Sequence, residues 1–223
     1  MELRIGIIGC GRMGTALARL IDLHRMPLLL ANRTPARAAA LAAALSSARV
    51  APVARVAAES DLTILSTPID ATCRELAPQL RHTRSVIVDV SNPCFGGPLV
   101  PEQGPAHGPA HGPAHGSAQG PAHGSAAERI AAALPGCAVV KAFNCLSARW
   151  VAAYMRSPGL VTVPIAGDDP DAKLLVTRLC KILGFDTADA GPLANSRCVE
   201  GLTELLLCLG TGSIGVKLVP AVP

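Results

Sequence analysis

Aromatic side chains make up only 2% of this 223-residue chain: three Phe, one Trp and one Tyr. That scarcity excludes a surface that stacks bases on rings between clustered cations, and the net charge of +4 is not gathered into basic runs. No nucleic-acid partner is therefore expected. No apolar run reaches the ~18 residues that would span a bilayer. The best candidate, LTELLLCLGTGSIGVKL, is broken by Glu204 and three glycines, so no membrane span is expected. None of the eight cysteines (Cys10, Cys73, Cys94, Cys137, Cys145, Cys180, Cys198 and Cys208) forms a CxxC pair or lies in a zinc pattern with histidine. Reduced, mostly buried thiols are the favoured reading. The opening MELRIGIIG reads as a strand rather than a signal peptide, and the expected location is cytoplasmic. No Ser-His-Asp set is evident, so no catalytic side chain and no metal site is assigned.

Apolar residues, in contrast, make up 50% of the chain, enough for a real core. The length suits one α/β domain, or a nucleotide-binding domain with a small appendage. The start reads as strand (Arg4 to Ile8), glycine turn, helix (Met13 to His24) and strand (Pro27 to Ala31), a βαβ unit. A helix from Pro35 to Ser46 begins with a sound signal, Thr34 before Pro35. A strand at Leu62 to Ser66, a helix near Ala71 to Gln79 and a strand at Ser85 to Val90 follow. Further on come a helix at Ala127 to Leu134, a strand at Cys137 to Asn144, a strand in LVTVPIAGDD, and helices at Pro170 to Leu183 and Val199 to Leu209. This alternation predicts a Rossmann-type, doubly wound parallel sheet with a small helical C-terminal extension. The expected division is residues 1–188 and 189–223.

Between Gln103 and Ser125 the chain repeats with a period of four, QGPAHGPAHGPAHGSAQGPAHGS. Such a segment has no apolar face, and Gly and Pro at this density resist helix and sheet, so a surface loop is expected. Four of the six histidines lie here (His107, His111, His115 and His123). Their imidazoles could take nickel, copper or zinc; the plainer reading is a repeat expanded within a tolerant loop.

Gly9, Gly11 and Gly14 form G-x-G-x-x-G after a strand and at the start of a helix, the context in which this pattern binds a dinucleotide. Gly9 permits the tight turn, Gly11 the approach of a diphosphate, and Gly14 close helix–strand packing. The helix N-terminus adds N–H donors and a favourable dipole. An NAD site commonly places Asp or Glu at the end of the second strand. Here Asn32, Arg33, Thr34 and Arg37 stand instead. A carboxylate would repel a 2′-phosphate, whereas guanidinium groups bind it by charge-assisted hydrogen bonds. The stretch therefore points to NADP(H). The alternative is that both arginines are ordinary solvated charges at a helix start.

Several stretches resemble the family of NADP oxidoreductases that use a deazaflavin coenzyme (the F-420-dependent type) and the related cytosolic reductase domain of the STEAP metalloreductases. They are IIGCGRMG (7–14), NRTPAR (32–37), STP (66–68), DVSNP (89–93), VVKAFN (139–144), IAGDDPDAK (165–173) and DAGPLANSRCVEGLTELLL (189–207). DVSNP and VVKAFN, with Ser147 and Trp150, look more like the STEAP side; DAGPLANSR and GTGSIGVKL look more like the deazaflavin side. The STEAP proteins continue into a haem-bearing membrane domain, which this sequence does not show. The resemblance implies that Cys10, Gly11, Arg12 and Met13 cradle the diphosphate and that Asn32, Arg33 and Arg37 hold the 2′-phosphate. Thr67, Pro68, Ser91, Asn92, Ala142, Phe143 and Asn144 would line the ribose and nicotinamide. Leu193, Asn195, Ser196 and Arg197, in the extension, would shape a second-ring site for FAD, FMN or deazaflavin coenzyme F-420.

The implied activity is an NADPH-dependent hydride transfer to a flavin or deazaflavin, with ferric iron as a further acceptor. Transfer between two stacked rings needs proximity and orientation more than a protein acid or base. Two alternatives stand beside it. One is an imine reductase resembling pyrroline-5-carboxylate reductase, which needs a larger helical dimerisation domain than the 35 residues from Asp189 onward. The other is an NADPH-sensing module without turnover. The expected partner is a small-molecule redox acceptor, with a homodimer possible through an apolar C-terminal helix.

Overall fold

The structure is a computed structural model in which residues 3–92, 124–154 and 161–208 are described. The strands β1 (Ile5–Ile8), β2 (Leu28–Ala31), β3 (Ala48–Val50), β4 (Leu62–Leu65), β5 (Val86–Asp89), β6 (Val139–Lys141), β7 (Thr162–Gly167) and β8 (Asp186–Gly191) form one sheet. Its order is β3-β2-β1-β4-β5-β6-β7-β8. Because β2 and β4 flank β1 on opposite sides, the direction of winding reverses between β1 and β4. In such sheets the crevice beyond the strand C-termini at that reversal is where ligands bind.

The inner strands are continuous apolar runs, as strands buried on both faces require. Ile5, Ile7, Leu28, Leu30, Leu62, Ile64, Val88 and Val140 face one core. On that side lie α1 (Arg12–Leu23), α2 (Pro35–Ala43), α7 (Ala148–Tyr154) and α8 (Pro170–Ile182). Ile8, Ala31, Leu65, Ile87 and Val139 face a second core, covered by α3 (Val53–Glu59), α5 (Ala77–Leu80) and α6 (Ala126–Ala133). Helix α1 buries Ala16, Leu17, Leu20 and Ile21 at helical spacing. Full burial of each large aliphatic chain there stabilises by about 1.5–3 kcal/mol. The Rossmann-type architecture expected from the sequence is the one observed, with α9 (Ser196–Cys208) as the helix of the C-terminal extension.

Five details differ from the sequence reading. β3, α3, α7 and β8 lie outside the expected elements; β3 is a three-residue edge strand with Arg49 and Val50 exposed, too short for a pattern. The helix near Ala71 to Gln79 is a composite of α4 (Ile69–Ala71), a π turn (Thr72–Leu76) and α5. Pro78 lacks the N–H that would reach the Arg74 carbonyl, and the helix widens just before it, with the Ala77 N–H donating to the Thr72 carbonyl. β7 runs antiparallel to β6, although every other pair is parallel. The boundary at 188/189 falls inside β8, which pairs with β7 from Asp186 to Gly191. Finally, Ser125 is not a loop residue but the buried N-cap of α6, in a capping box with Glu128. The rest of the repeat, from 103 to 123, lies outside the described residues, as do Pro93 and the GTGSIGVKL segment.

Candidate functional site

The site grows from the turn between β1 and α1. Gly9 adopts φ +105°, and a Cβ there would collide with the Ser66 carbonyl. A Cβ on Gly14 would collide with the Gly9 carbonyl oxygen. These two glycines let β1, α1 and the end of β4 approach to backbone contact. Gly11 differs: a Cβ there meets nothing within 4 Å. The turn therefore opens onto free space at the start of α1. No side chain caps α1 and no acid lies in its first turn, so its N-terminal amides are available to an anion. Arg12 is exposed beside them, and Met13 is half-buried against the core.

Asn32 ties the ends of β1 and β2 together. Its Oδ1 accepts from the Cys10 N–H at 2.9 Å, and its Nδ2 donates to the Thr34 carbonyl at 3.0 Å. The Cys10 thiol is buried, and that burial pushes its pKa up. Arg33, Thr34 and Arg37 are exposed, and neither arginine pairs with a carboxylate among the described residues. Arg37 lies in the first turn of α2, which carries no acid. A cation at this positive end of a helix dipole is locally unfavourable, by roughly 0.3–1 kcal/mol. Two unpaired cations held there suit an incoming anion.

The ends of β4, β5 and β6 supply the other half. The Thr67 and Thr72 hydroxyls lie 2.7 Å apart, and Pro68 is exposed. After β5, the Ser91 N–H donates to Asp89 Oδ1 at 2.9 Å, and the Asn92 Nδ2 donates to the Asn144 carbonyl at 2.8 Å. After β6, Ala142, Phe143 and Asn144 are all buried. Phe143 sits at φ +60°, a left-handed conformation that costs a non-glycine residue about 1–3 kcal/mol. Its ring is fixed edge-on against Phe185 at 6.0 Å. Asn144 Nδ2 donates to Asn92 Oδ1, the Val199 carbonyl and Thr203 Oγ1 at 3.1, 3.2 and 3.0 Å.

Beneath these turns lies a cluster that the sequence reading missed. Lys141 Nζ is completely buried and contacts Asp89 Oδ2 at 2.8 Å, Glu200 Oε1 at 2.7 Å and the Ser91 carbonyl at 2.5 Å. Glu200 also accepts from the Ala126 and Ala127 N–H groups at the start of α6. A signal existed: VIVDV and VVKAF each place one charge inside an apolar strand, and Asp89 and Lys141 are register partners. Charges so placed must pair.

The predicted second-ring residues are engaged in a joint between α9 and α6. Leu193 lies in the second core cluster, in a 3-10 turn (Leu193–Asn195) before α9, and its N–H donates to Asp168 Oδ1. Asn195 Nδ2 donates to the Ala190 carbonyl, and the buried Ser196 hydroxyl meets that of Ser125 at 2.5 Å. Arg197 pairs with both oxygens of Glu128 at 2.7 Å. The Arg197 guanidinium holds the Glu128 carboxyl down, at about 2. Among the described residues no group of three or more His, Cys, Asp or Glu could hold a metal.

The fit to NADP(H) can be judged from the protein's own unmet polar groups. Ser91 Oγ and Asn144 Oδ1 are buried and have no hydrogen-bond partner. Buried polar atoms are almost always paired. These two stand on adjacent strand ends, as groups awaiting a polar ligand do. With the open space at Gly11 and the free cations after β2, the residues present suit a dinucleotide carrying a 2′-phosphate. The fold is that of a dinucleotide-binding domain, with a crevice whose residues suit NADP(H).

Comparison with known proteins agrees. Residues 4–93 match the family described as NADP oxidoreductase, coenzyme F420-dependent. Metalloreductase STEAP3 of Rattus norvegicus is 29% identical over 204 residues, covering 92% of this chain; the chain spans 37% of that relative's length. Among solved structures, the hypothetical protein SMa0349 from Sinorhizobium meliloti is 28% identical, with TM-score 0.68 and coverage of 88% of each chain. A candidate F420-dependent NADP-reductase from Arthrobacter sp. FB24 shares the fold at TM-score 0.72 and 24% identity, over 98% of this chain and 100% of its own. The segment carrying the glycine turn and the first five strands is therefore similar to that NADP oxidoreductase family. No described helix is long and apolar enough to cross a membrane.

Proposed function

We propose that this chain binds NADPH and passes its reducing equivalents to a flavin or deazaflavin ring. The observation that carries the reading is the pair of unpaired arginines, Arg33 and Arg37, at the end of β2, where no carboxylate stands. The α1 amides, with Cys10, Gly11, Arg12 and Met13 around them, hold the diphosphate. Arg33 and Arg37 take the 2′-phosphate, and Asn32 acts by fixing the loop that presents them. Asn144 Oδ1 accepts from the nicotinamide carboxamide and Ser91 Oγ completes its pairing. Thr67, Pro68, Asn92, Ala142 and Phe143 wall the ribose and ring.

NADPH supplies the hydride when bound; the chain's residues orient it and keep water from the reacting face. No side chain need exchange a proton, which suits a site whose buried charges among the described residues, Asp89, Lys141 and Glu200, are engaged with one another. Leu193, Asn195, Ser196 and Arg197 set the floor for the second ring by fixing the start of α9, with FAD, FMN or coenzyme F-420 as candidate acceptors. The test is to mix the purified chain with NADPH and, in turn, FAD, FMN, coenzyme F-420 and a ferric chelate. Loss of the reduced-nicotinamide absorbance with one of the ring compounds is expected. No oxidation with any acceptor contradicts the proposal.

A further inference from the structure

Helix α9 presents an unusual buried face. Ser196, Val199, Glu200 and Thr203, at i, i+3, i+4 and i+7, are its buried stripe, and three of the four are polar. A helix that only covered a core would turn apolar residues inward there. Leu205, on the same helix, is instead 55% exposed. The polar stripe reaches the two turns that carry the unpaired acceptors. Glu200 holds Lys141, whose Nζ holds the Ser91 carbonyl; Thr203 Oγ1 and the Val199 carbonyl hold Asn144 Nδ2, which also holds Asn92.

From this we infer that α9, acting through Glu200–Lys141 and Thr203–Asn144, positions Ser91 and Asn144 for the nicotinamide end of the dinucleotide. Glu200, Lys141 and Thr203 are positioning residues: none need touch the ligand. The inference rests on the reading of the site as one for NADP(H). Its physical basis is that the turns after β5 and β6 are tethered to α9 through Lys141 and Asn144. With Nδ2 held by three acceptors, Asn144 can present only Oδ1, so the orientation of the amide is fixed before any ligand arrives. The adenosine end, near Arg33 and Arg37, lies across the sheet reversal on β2 and shares none of these contacts.

The two ends can be assayed separately. NADP+ uses both halves of the crevice; 2′,5′-ADP uses only the end that binds phosphorylated adenosine. Glu200→Gln and Thr203→Val should each weaken NADP+ by about tenfold, the effect of losing one hydrogen bond to a charged or buried group. Binding of 2′,5′-ADP should stay within about twofold in both variants, since the end that binds phosphorylated adenosine shares no contact with α9 and a twofold change is only about 0.4 kcal/mol. A general loosening of the fold would weaken both ligands together, and equal weakening overturns the inference. Unchanged NADP+ affinity in both variants overturns it too. Glu200→Gln disturbs a buried ion cluster, so Thr203→Val, nearly equal in volume, carries the test alone if the first variant does not fold. Failure of the wild-type chain to bind either ligand overturns the proposed function and this inference with it; binding of 2′,5′-ADP with no split in the variants overturns this inference alone.

Discussion

Removing the two arginines after β2 should convert a strong preference for NADPH into near indifference. Arg33 and Arg37 are exposed and have no carboxylate partner among the described residues, so neither is part of the protein's own scaffold. A hydrogen bond to a charged group contributes about 1.5–3 kcal/mol, and exposure to solvent puts these at or below the lower end. Two such groups then give roughly 2–3 kcal/mol, or about 30- to 150-fold in affinity. The double variant Arg33→Ala, Arg37→Ala should lose that factor for NADPH. NADH, which lacks the 2′-phosphate, should change less than about twofold, because no phosphate bond of this strength is removed. Folding should not suffer: Arg37 stands at the positive end of α2, where its charge is mildly unfavourable. Titration of nicotinamide fluorescence at low salt and again at higher salt measures both effects, and screening should shrink the wild-type preference. Equal loss for NADPH and NADH would refute the assignment of these cations to the 2′-phosphate.

Other perturbations probe the scaffold. Gly14→Ala places a methyl group against the Gly9 carbonyl oxygen, backbone against backbone, so it should lower the melting temperature by several degrees and abolish dinucleotide binding. The Glu128 carboxyl is held at about 2, chiefly by the Arg197 guanidinium. A lowered carboxyl pKa gives stability that is complete above the ordinary value near 4.5 and is lost as pH falls towards 2. Arg197 is exposed, so solvent screens the pair and its share of the stability is small. Arg197→Ala should flatten that part of the acid profile; an unchanged slope would show that the pair does not matter. Burial pushes the Cys145 thiol up to about 11 and raises that of Cys180 as well. Both should resist a thiol reagent at pH 8 in the native state, while the exposed Cys198 reacts at once. Rapid modification of Cys145 or Cys180 without unfolding would contradict their burial.

The long, strongly patterned parts of this fold were readable. G-x-G-x-x-G between a strand and a helix specifies its own geometry through backbone contacts, and Gly9 and Gly14 occur where a Cβ cannot fit. Helix α8, with Asp169 capping it and Pro170 at its first position, carried its start signal openly. Strand direction was not readable: β6 and β7 alternate with helices just as the parallel strands do, yet they pair antiparallel. In the candidate site, the turns after β1, β2, β5 and β6 were marked by short motifs, but the support beneath them was not. Lys141, Asp89 and Glu200 are separated by 52 and 59 residues in the chain and meet only after the sheet forms and α9 closes on it. The same tertiary closure gives Ser196 and Arg197 their roles, as a joint with Ser125 and Glu128 that no local pattern announces, whereas Asn195 bonds the nearby Ala190 carbonyl.

The most direct test of the account is a crystal structure of the chain with NADP+ bound. The 2′-phosphate should lie within hydrogen-bonding distance of Arg33 and Arg37, with the carboxamide against Asn144 Oδ1 and Ser91 Oγ. A dinucleotide bound elsewhere, or bound here with its 2′-phosphate turned to solvent and both acceptors still unpaired, would contradict it.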